Sequence, residues 1–245
     1  MTAFEKLDTV FKLQQSHAMQ LKLSSHKDRI EKLNRLKILL ESKYRDLFCE
    51  SLKKDLSKPH VETDLTEIYP VIKEIKYVKR HLKSWLRKNY VSTPIALLGS
   101  QSFTVYEPKG VCLIMSPWNF PVNLTLSPLI SAIAAGNTVI IKPSEMSFHT
   151  SAVLKDFIDE LFDENEVFLI EGDVEVAQHL LKLPFNHIFF TGSPAVGRLV
   201  MKAASDYLAS VTLELGGKSP VIIDDTANLK LAVSRVVHSK LINTS

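Results

Sequence analysis

The chain has 245 residues, of which 45% are hydrophobic and 23% charged, and its formal net charge is +3. This length and composition fit a soluble globular protein of one large or two small domains. The near-balance of 30 basic and 27 acidic side chains gives no reason to expect nucleic acid or an anionic membrane as a partner.

The cysteines and histidines show no pattern of a disulfide or metal protein. Cys49 and Cys112 lie far apart in unrelated surroundings, and the histidines have no ligand spacing with acids or cysteines. No apolar run approaches the ~18 residues of a membrane span. We therefore predict no metal site, no membrane span and a reducing, cytoplasmic compartment.

The N-terminal part is predicted to be helical. Apolar residues recur with a helical period from Ser24 to about Leu56, which predicts one long helix capped by Ser25. A second helix is predicted to begin near Asp64, with an apolar face from Leu65 to Trp85. Its opposite face is rich in lysine and arginine, which favours a solvated face over an anion-binding or membrane surface.

Beyond a border near residue 95, short apolar runs alternate with helical patterns. Five runs are predicted as strands: Val111–Ser116, Thr138–Lys142, Val167–Glu171, His187–Thr191 and Val211–Glu214. The helical patterns lie near 122–135, 148–162, 173–181 and 195–207. The sequence therefore predicts an α/β protein, with a doubly wound, Rossmann-like parallel sheet of five strands preceded by long N-terminal helices.

Ligands of such sheets bind at the carboxyl ends of the strands, where most of the unusual residues of this chain lie. Glu214 is a carboxylate inside an apolar strand that runs into a double glycine. Burial raises the pKa of a carboxyl group toward the range in which it can take a proton from water. Glu214 is therefore predicted to be a buried general base.

The fourth predicted strand leads into a possible phosphate-binding turn. Ser193 suits a helix N-cap and Pro194 the first helical position, while Gly192 and Gly197 would let a phosphate approach the backbone. The glycine spacing differs from the ordinary dinucleotide fingerprint, so a purely structural turn remains an alternative.

Two further strand ends carry candidate groups. Lys142 and Glu145 could bind ribose hydroxyls or form a weak surface ion pair. In the proline-flanked segment Pro117–Pro121, the amide of Asn119 could donate to an oxyanion or could cap the following helix.

Four segments together resemble the aldehyde dehydrogenases, in the order seen in that family. They are Pro117-Trp118-Asn119-Phe120-Pro121, Ala134-Ala135-Gly136-Asn137 followed by Lys142-Pro143-Ser144-Glu145, Phe190-Thr191-Gly192-Ser193, and Leu213-Glu214-Leu215-Gly216-Gly217-Lys218-Ser219-Pro220. Glu107-Pro108 with Gly110, and the short N-terminal part, are most similar to the class 3 and fatty-aldehyde branch. The resemblance covers nearly the whole chain but only the front half of a family member.

The resemblance implies oxidation of a small-molecule aldehyde to an acid with NAD or NADP. A cysteine thiolate attacks the aldehyde, hydride passes to the cofactor, and water hydrolyses the thioester. Glu214 would be the general base and Asn119 the oxyanion donor. The implied cofactor-binding residues are Ser116, Trp118, Lys142, Glu145, Thr191, Gly192, Ser193, Leu215 and Gly216.

The resemblance also implies three regions and a homodimer for the full-length enzyme. They are a helical region 1–95 packed on the cofactor domain, an NAD(P)-binding domain 96–213, and a truncated start of the catalytic domain, 214–245. The nucleophilic cysteine of the family lies beyond Ser245, and Cys49 and Cys112 occupy apolar positions typical of inert thiols. We therefore expect this chain alone to be inactive. A dinucleotide-binding module without catalysis and an interaction protein that uses the basic helix are the alternatives.

Overall fold

The computed structural model describes residues 2–244. Within them the chain forms ten α-helices: α1 Ala3–Leu21, α2 His26–Glu41, α3 Lys43–Leu56, α4 His60–Thr63, α5 Tyr69–Trp85, α6 Asn123–Ala135, α7 Phe148–Leu161, α8 Val174–Leu180, α9 Pro194–Ser205 and α10 Leu229–Leu241. A π-helical turn, Asp64–Ile68, joins α4 to α5. No helix of this part of the chain is long and apolar enough to cross a membrane.

Seven strands form two sheets in the same described residues. The strands are β1 Asn89–Val91, β2 Ser102–Thr104, β3 Val111–Met115, β4 Thr138–Lys142, β5 Val167–Leu169, β6 His187–Gly192 and β7 Ser210–Leu215. β1 and β2 form an antiparallel pair, and the other five form a parallel sheet in the order β5-β4-β3-β6-β7. The predicted doubly wound sheet is therefore confirmed, with each predicted strand within two residues of its observed bounds.

Alternate residues of the strands build two separate cores. Cys112 and Ile114 of β3 face α2, α3, α5, α6 and α7, whereas Val111 and Leu113 face α1, α8 and α9. Both faces of the central strands are therefore covered, which explains why their sequences read as continuous apolar runs. The helices on one face do not extend fully over β6 and β7, where His187 and Phe189 line an open cavity.

The single long helix predicted from Ser24 to about Leu56 is wrong. Ser25 caps α2 as predicted, but the helix ends at Glu41 and α3 begins at Lys43. Ser42 between them has φ −102° and ψ −98°, and its hydroxyl donates to the carbonyl of Ile38. Both helices pack on one core, so the apolar periodicity continues across a backbone break that it cannot reveal.

The chain is already helical before Asp64, where the second helix was predicted to begin, and the predicted apolar face is only partly correct. Leu82 is buried as predicted, but Leu65 is 63% exposed, and Val71, outside the predicted face, is buried. Glu67 lies one helical turn before Val71 and is fully buried. The lysines and arginines on the opposite face of α5 are largely exposed, as predicted for a solvated face.

The predicted domain borders near 95 and at 214 remain predictions. The β1–β2 pair straddles the first border. Beyond the second border, α10 has no buried side chain, and its apolar residues Val233 and Leu241 are exposed.

Candidate cofactor and catalytic site

A cavity of about 1350 Å³ lies beside β6 and β7 and reaches the carboxyl ends of β3, β6 and β7. Within the sheet, the next strand in the chain, β4, lies beside β3 on one side, and β6 lies beside β3 on the other. The crevice between β3 and β6 is therefore the topological switch point at which such sheets bind ligands. Eight predicted site residues line this cavity: Trp118, Asn119, Thr191, Gly192, Ser193, Glu214, Leu215 and Gly216.

Glu214 is exposed, which corrects the prediction of a buried carboxylate. Among the described strands, β7 is at the edge of the sheet and pairs with β6 on one side alone. Of the apolar neighbours that suggested a buried strand, Val211 and Leu213 are only partly buried and Leu215 is exposed. Glu214 therefore faces an open cavity.

Asn119 is half-buried at the end of the cavity, in the turn that follows β3. Its Oδ1 atom accepts a hydrogen bond of 3.1 Å from the Phe120 amide. Helix α6 begins only at Asn123, so the alternative that Asn119 caps this helix is wrong. Within the described chain its Nδ2 group has no protein acceptor, which leaves this donor available to a ligand.

A buried ion pair supports this turn. Lys58 and Glu67 both have fully buried side chains, and Lys58 Nζ lies 2.7 Å from Glu67 Oε1. The sequence reasoning missed this pair. Glu67 stands one turn before Val71 on the buried face of its helix, which was a signal for the burial of Glu67 but not for its pairing with Lys58.

The loop after β6 forms the helix start predicted for it. The Ser193 hydroxyl accepts from the Val196 amide, and Pro194 is at the start of α9. A Cβ atom at Gly197 would lie 2.9 Å from Leu215 Cδ2, and one at Gly192 would lie 2.5 Å from the Phe190 ring. The buried Phe190 ring therefore requires Gly192 whether or not a phosphate binds, whereas at Gly197 the exposed end of the Leu215 side chain can move aside.

The other three predicted cofactor residues form a separate cluster at the ends of β3 and β4, outside the cavity lining. The Ser116 amide donates to the carbonyl of Lys142, and its buried hydroxyl accepts from Thr125. Lys142 Nζ lies 3.1 Å from Glu145 Oε2, so the ion pair considered from the sequence is present. Partial burial opposes ionisation of Glu145, but its own backbone amide and Lys142 hold the pKa of this carboxyl below its ordinary value.

The cavity wall contains a polar atom that suits a ligand. Thr191 Oγ1 is buried and has no hydrogen-bond partner in the described chain. A buried hydroxyl without a partner is costly, so this atom fits a polar group that enters the cavity. Together with the helix start at Ser193, it makes the site compatible with a dinucleotide.

Sequence reasoning also missed His187 and Thr212 in the cavity wall. His187 Nδ1 is 2.8 Å from Ser210 Oγ, and its Nε2 is 3.2 Å from Thr212 Oγ1. Burial, together with nearby Lys109, lowers the pKa of His187. The alternation of His187, Phe189 and Thr191 along β6 was the signal that these residues share one face.

Both cysteines are poor nucleophiles. Cys49 and Cys112 are buried, and burial raises the pKa of Cys49 to about 11 and that of Cys112 to about 12. Cys112 does line the cavity, but as an apolar wall of β3. Within residues 2–244, no three His, Cys, Asp or Glu side chains gather in a way that could hold a metal ion.

Comparison with known proteins gives the class to which this fold and site belong. The model of the aldehyde dehydrogenase family matches residues 4–245. The chain therefore belongs to the aldehyde dehydrogenase family.

Individual relatives place the chain near class 3 members of the family. It is 46% identical over 215 residues to the 4,4'-diaponeurosporen-aldehyde dehydrogenase of Staphylococcus aureus, covering 88% of this chain and 47% of the relative. It is 40% identical over 199 residues to mouse aldehyde dehydrogenase family 3 member B2, covering 81% of this chain and 42% of the relative. The chain thus spans about half the length of the curated relatives it matches.

Solved structures agree with the fold. The substrate-bound state of S. aureus AldH has a TM-score of 0.91 and 43% identity, covering 97% of this chain and 52% of that one. The succinic semialdehyde dehydrogenase of Streptococcus pyogenes, solved with NADP+, has a TM-score of 0.85 and 20% identity over 99% of this chain and 52% of that one. The latter likeness supports the fold alone.

Proposed function

We propose that this chain supplies the dinucleotide site, the oxyanion donor and the general base for NAD(P)-dependent oxidation of an aldehyde to a carboxylic acid. One observation carries the proposal: the cavity at the switch point of the sheet brings together Asn119, Thr191 and Glu214. Membership of the aldehyde dehydrogenase family supports the reaction class.

The proposed cofactor roles are those that the family resemblance implies, and the positions of the residues at the strand ends support them. The Ser193 turn would receive the pyrophosphate, Lys142 and Glu145 the adenosine ribose, and Thr191 with Leu215 and Gly216 the nicotinamide end. Ser116 and Trp118 would complete the site beside these groups. When bound, the dinucleotide supplies a hydride acceptor.

The catalytic roles fall to two side chains of the cavity. The free Nδ2 group of Asn119 would donate to the substrate oxygen as negative charge develops there. Glu214, exposed to the cavity, would take a proton from the water that hydrolyses the acyl group. Neither role requires the deep burial that the sequence suggested for Glu214.

The thiol nucleophile is not among the residues of this chain. Cys49 and Cys112 are buried thiols whose raised pKa disfavours the reactive thiolate. For this reason we also propose that the 245 residues alone bind the dinucleotide without oxidising aldehydes. A catalytically inactive dinucleotide-binding module, which the same two cysteines favour, is the second candidate function.

A chimera separates these two functions. It joins this chain to the part of the S. aureus relative beyond the matched region, and its formation of reduced nicotinamide from aldehydes is followed by absorbance. Asn119→Asp removes the donor and is expected to lower kcat by about 10²- to 10³-fold. Glu214→Gln removes the base and is expected to lower kcat by about 10²- to 10⁴-fold.

Asp206→Asn, which changes an exposed acid after α9, is the matched control and should leave kcat unchanged. A chimera that folds and binds the dinucleotide but oxidises no aldehyde would leave the inactive module as the better description. Unchanged kcat in both site variants would refute the assigned roles.

The compartment and the oligomeric state belong to the same proposal. The cytosol suits two unpaired, reduced cysteines. A homodimer is supported by the exposed apolar side chains around the β1–β2 pair, such as Tyr90, Ile95 and Leu98. Sedimentation of the chimera would test it, because a monomer at micromolar concentration would contradict a homodimer.

A further inference from the structure

The buried ion pair of Lys58 and Glu67 originates in two local features of the backbone. Helix α3 ends at Leu56 and is followed by Ser57, which has a positive φ of 53°, and the Lys58 amide donates back to the Leu52 carbonyl. This left-handed ending turns Lys58 into the protein. Glu67 lies in the π-helical turn before α5. Because π-helical turns are rare and frequent at functional sites, this one suggests a specific purpose.

In the described chain, the other hydrogen bonds of the two charged groups are made with one short segment, residues 119–123. Lys58 Nζ donates to the Asn119 carbonyl at 3.0 Å and lies 4.4 Å from the centroid of the Phe120 ring. Glu67 Oε2 accepts from the amides of Val122 at 3.2 Å and Asn123 at 2.9 Å. The carboxylate thereby binds the backbone donors at the start of α6, a place where negative charge is favourable.

Stability alone is a weak explanation for such a pair. Desolvation of two charges offsets most of their attraction, and apolar replacements of buried pairs are often neutral or stabilising. The Lys58–Glu67 pair does, however, bind the Asn119 carbonyl and the amides at the start of α6. It thereby holds the backbone at Asn119 in one position. Since Asn119 Oδ1 is itself occupied by the Phe120 amide, the direction of the Nδ2 group depends on the backbone that the pair fixes.

We propose that Lys58 and Glu67 are positioning residues, whose buried ion pair fixes the turn Pro117–Pro121 and thereby aims the Asn119 amide and the Trp118 ring at the cavity. The consequence for catalysis rests on the proposed role of Asn119 as oxyanion donor. The fixed turn itself does not depend on that role.

The indole group of Trp118 is a suitable reporter, because the chain has two tryptophans and Trp85→Phe leaves one. In this background the double variant Lys58→Met with Glu67→Gln removes both charges. We expect it to fold cooperatively, with a shifted and broadened ¹⁵N–¹H resonance of Trp118 and a changed rate of quenching by acrylamide. The single variant Lys58→Arg keeps the positive charge. Its Trp118 resonance and quenching rate should be close to those of the parent.

Lys32→Met is the matched control. It breaks the partly buried pair between Lys32 of α2 and Glu166, which does not touch the turn. It should leave the Trp118 resonance unchanged even if it lowers the melting temperature. A folded double variant with the resonance and quenching of the parent would overturn the proposal.

Hydrogen exchange on the unaltered chain keeps the test decisive if the double variant does not fold. The amides of Val122 and Asn123 should exchange as slowly as amides within α6, because Glu67 binds both. Exchange at the rate of a frayed helix start would overturn the proposal.

In the chimera, the double variant should lower kcat about 10- to 100-fold with little change in KM, as expected for a misplaced donor. A changed Trp118 signal with unchanged kcat would overturn the catalytic consequence. An inactive parent chimera with a normal Trp118 response would instead count against the proposed function.

Discussion

Thr191 and Glu214 occupy partnered positions on the parallel strands β6 and β7, and both line the cavity. Within residues 2–244, the Thr191 hydroxyl is buried and has no hydrogen-bond partner, while the Glu214 carboxylate is exposed. A ligand donor or acceptor held by Thr191 would therefore lie beside a carboxylate that water can reach. This arrangement supports the proposal that hydride transfer and hydrolysis take place in one cavity.

Replacement of Thr191 tests the unpartnered hydroxyl. Thr191→Val is expected to weaken NAD+ binding about tenfold, because the loss of one good hydrogen bond costs about 1.4 kcal/mol. The folded state should be unchanged or slightly stabilised, since an unsatisfied polar atom is removed. Fluorescence titration and thermal unfolding measure the two effects.

Thr63→Val is the matched control for this change. Thr63 Oγ1 is also buried and unpartnered in the described chain, but it does not line the cavity. Like Thr191→Val, Thr63→Val should leave the stability of the folded state unchanged or slightly raise it, but it should not change the affinity for NAD+. Equal affinity in the two variants would contradict a role for the Thr191 hydroxyl.

The choice between NAD and NADP is expected to depend on Glu145. Its carboxylate is half-exposed and ionised beside Lys142, and it would repel a 2′-phosphate near the ribose. Glu145→Gln should raise the affinity for NADP+ relative to NAD+ by about tenfold, or about 1.4 kcal/mol. Glu171→Gln, an exposed acid after β5, is the control. An unchanged ratio in Glu145→Gln would show that this side chain does not select the cofactor.

Loss of Lys58 should make stability fall more steeply as pH rises. Burial raises the pKa of Glu67 above its ordinary value, although Lys58 and the amides of Asn123 and Val122 oppose this effect. Without Lys58, the folded state binds the proton more tightly still. Stability of Lys58→Met should therefore fall, relative to the parent, as pH rises above the ordinary value of about 4.3 for glutamate.

Urea unfolding of Lys58→Met between pH 5 and pH 8 measures this trend. The double variant Lys58→Met with Glu67→Gln should lack this pH dependence, because position 67 no longer carries a carboxyl group. A constant difference between Lys58→Met and the parent across this range would contradict a buried, ionisable Glu67.

His187 should give the opposite trend. Its pKa is lowered by burial and by Lys109, so the unfolded chain binds its proton first as pH falls. Stability from neutral His187 is present above about pH 6.5 and is lost below it. His187→Gln should flatten the decline of stability between about pH 6.5 and pH 5, and an equally steep decline would contradict this account.

The sequence was informative about the sheet and less so about burial. Continuous apolar runs predict strands covered on both faces, so β3 and β4 were located to within a residue. Glu214 looked buried because sequence periodicity does not reveal which strand lies at the edge of a sheet. The Lys58–Glu67 pair was missed because its partners meet through a left-handed helix ending and a π-helical turn, which no periodic pattern encodes.

The central claim is that the cavity and its adjoining strand ends bind a nicotinamide dinucleotide. Calorimetry of the 245-residue chain with NAD+ and NADP+ tests it most directly, with folding verified by a cooperative melt. We expect one site per chain for the preferred dinucleotide, weakened in Thr191→Val, and no reduced nicotinamide when an aldehyde is added. A folded chain that gives neither binding heat nor a thermal shift with either dinucleotide would contradict the account.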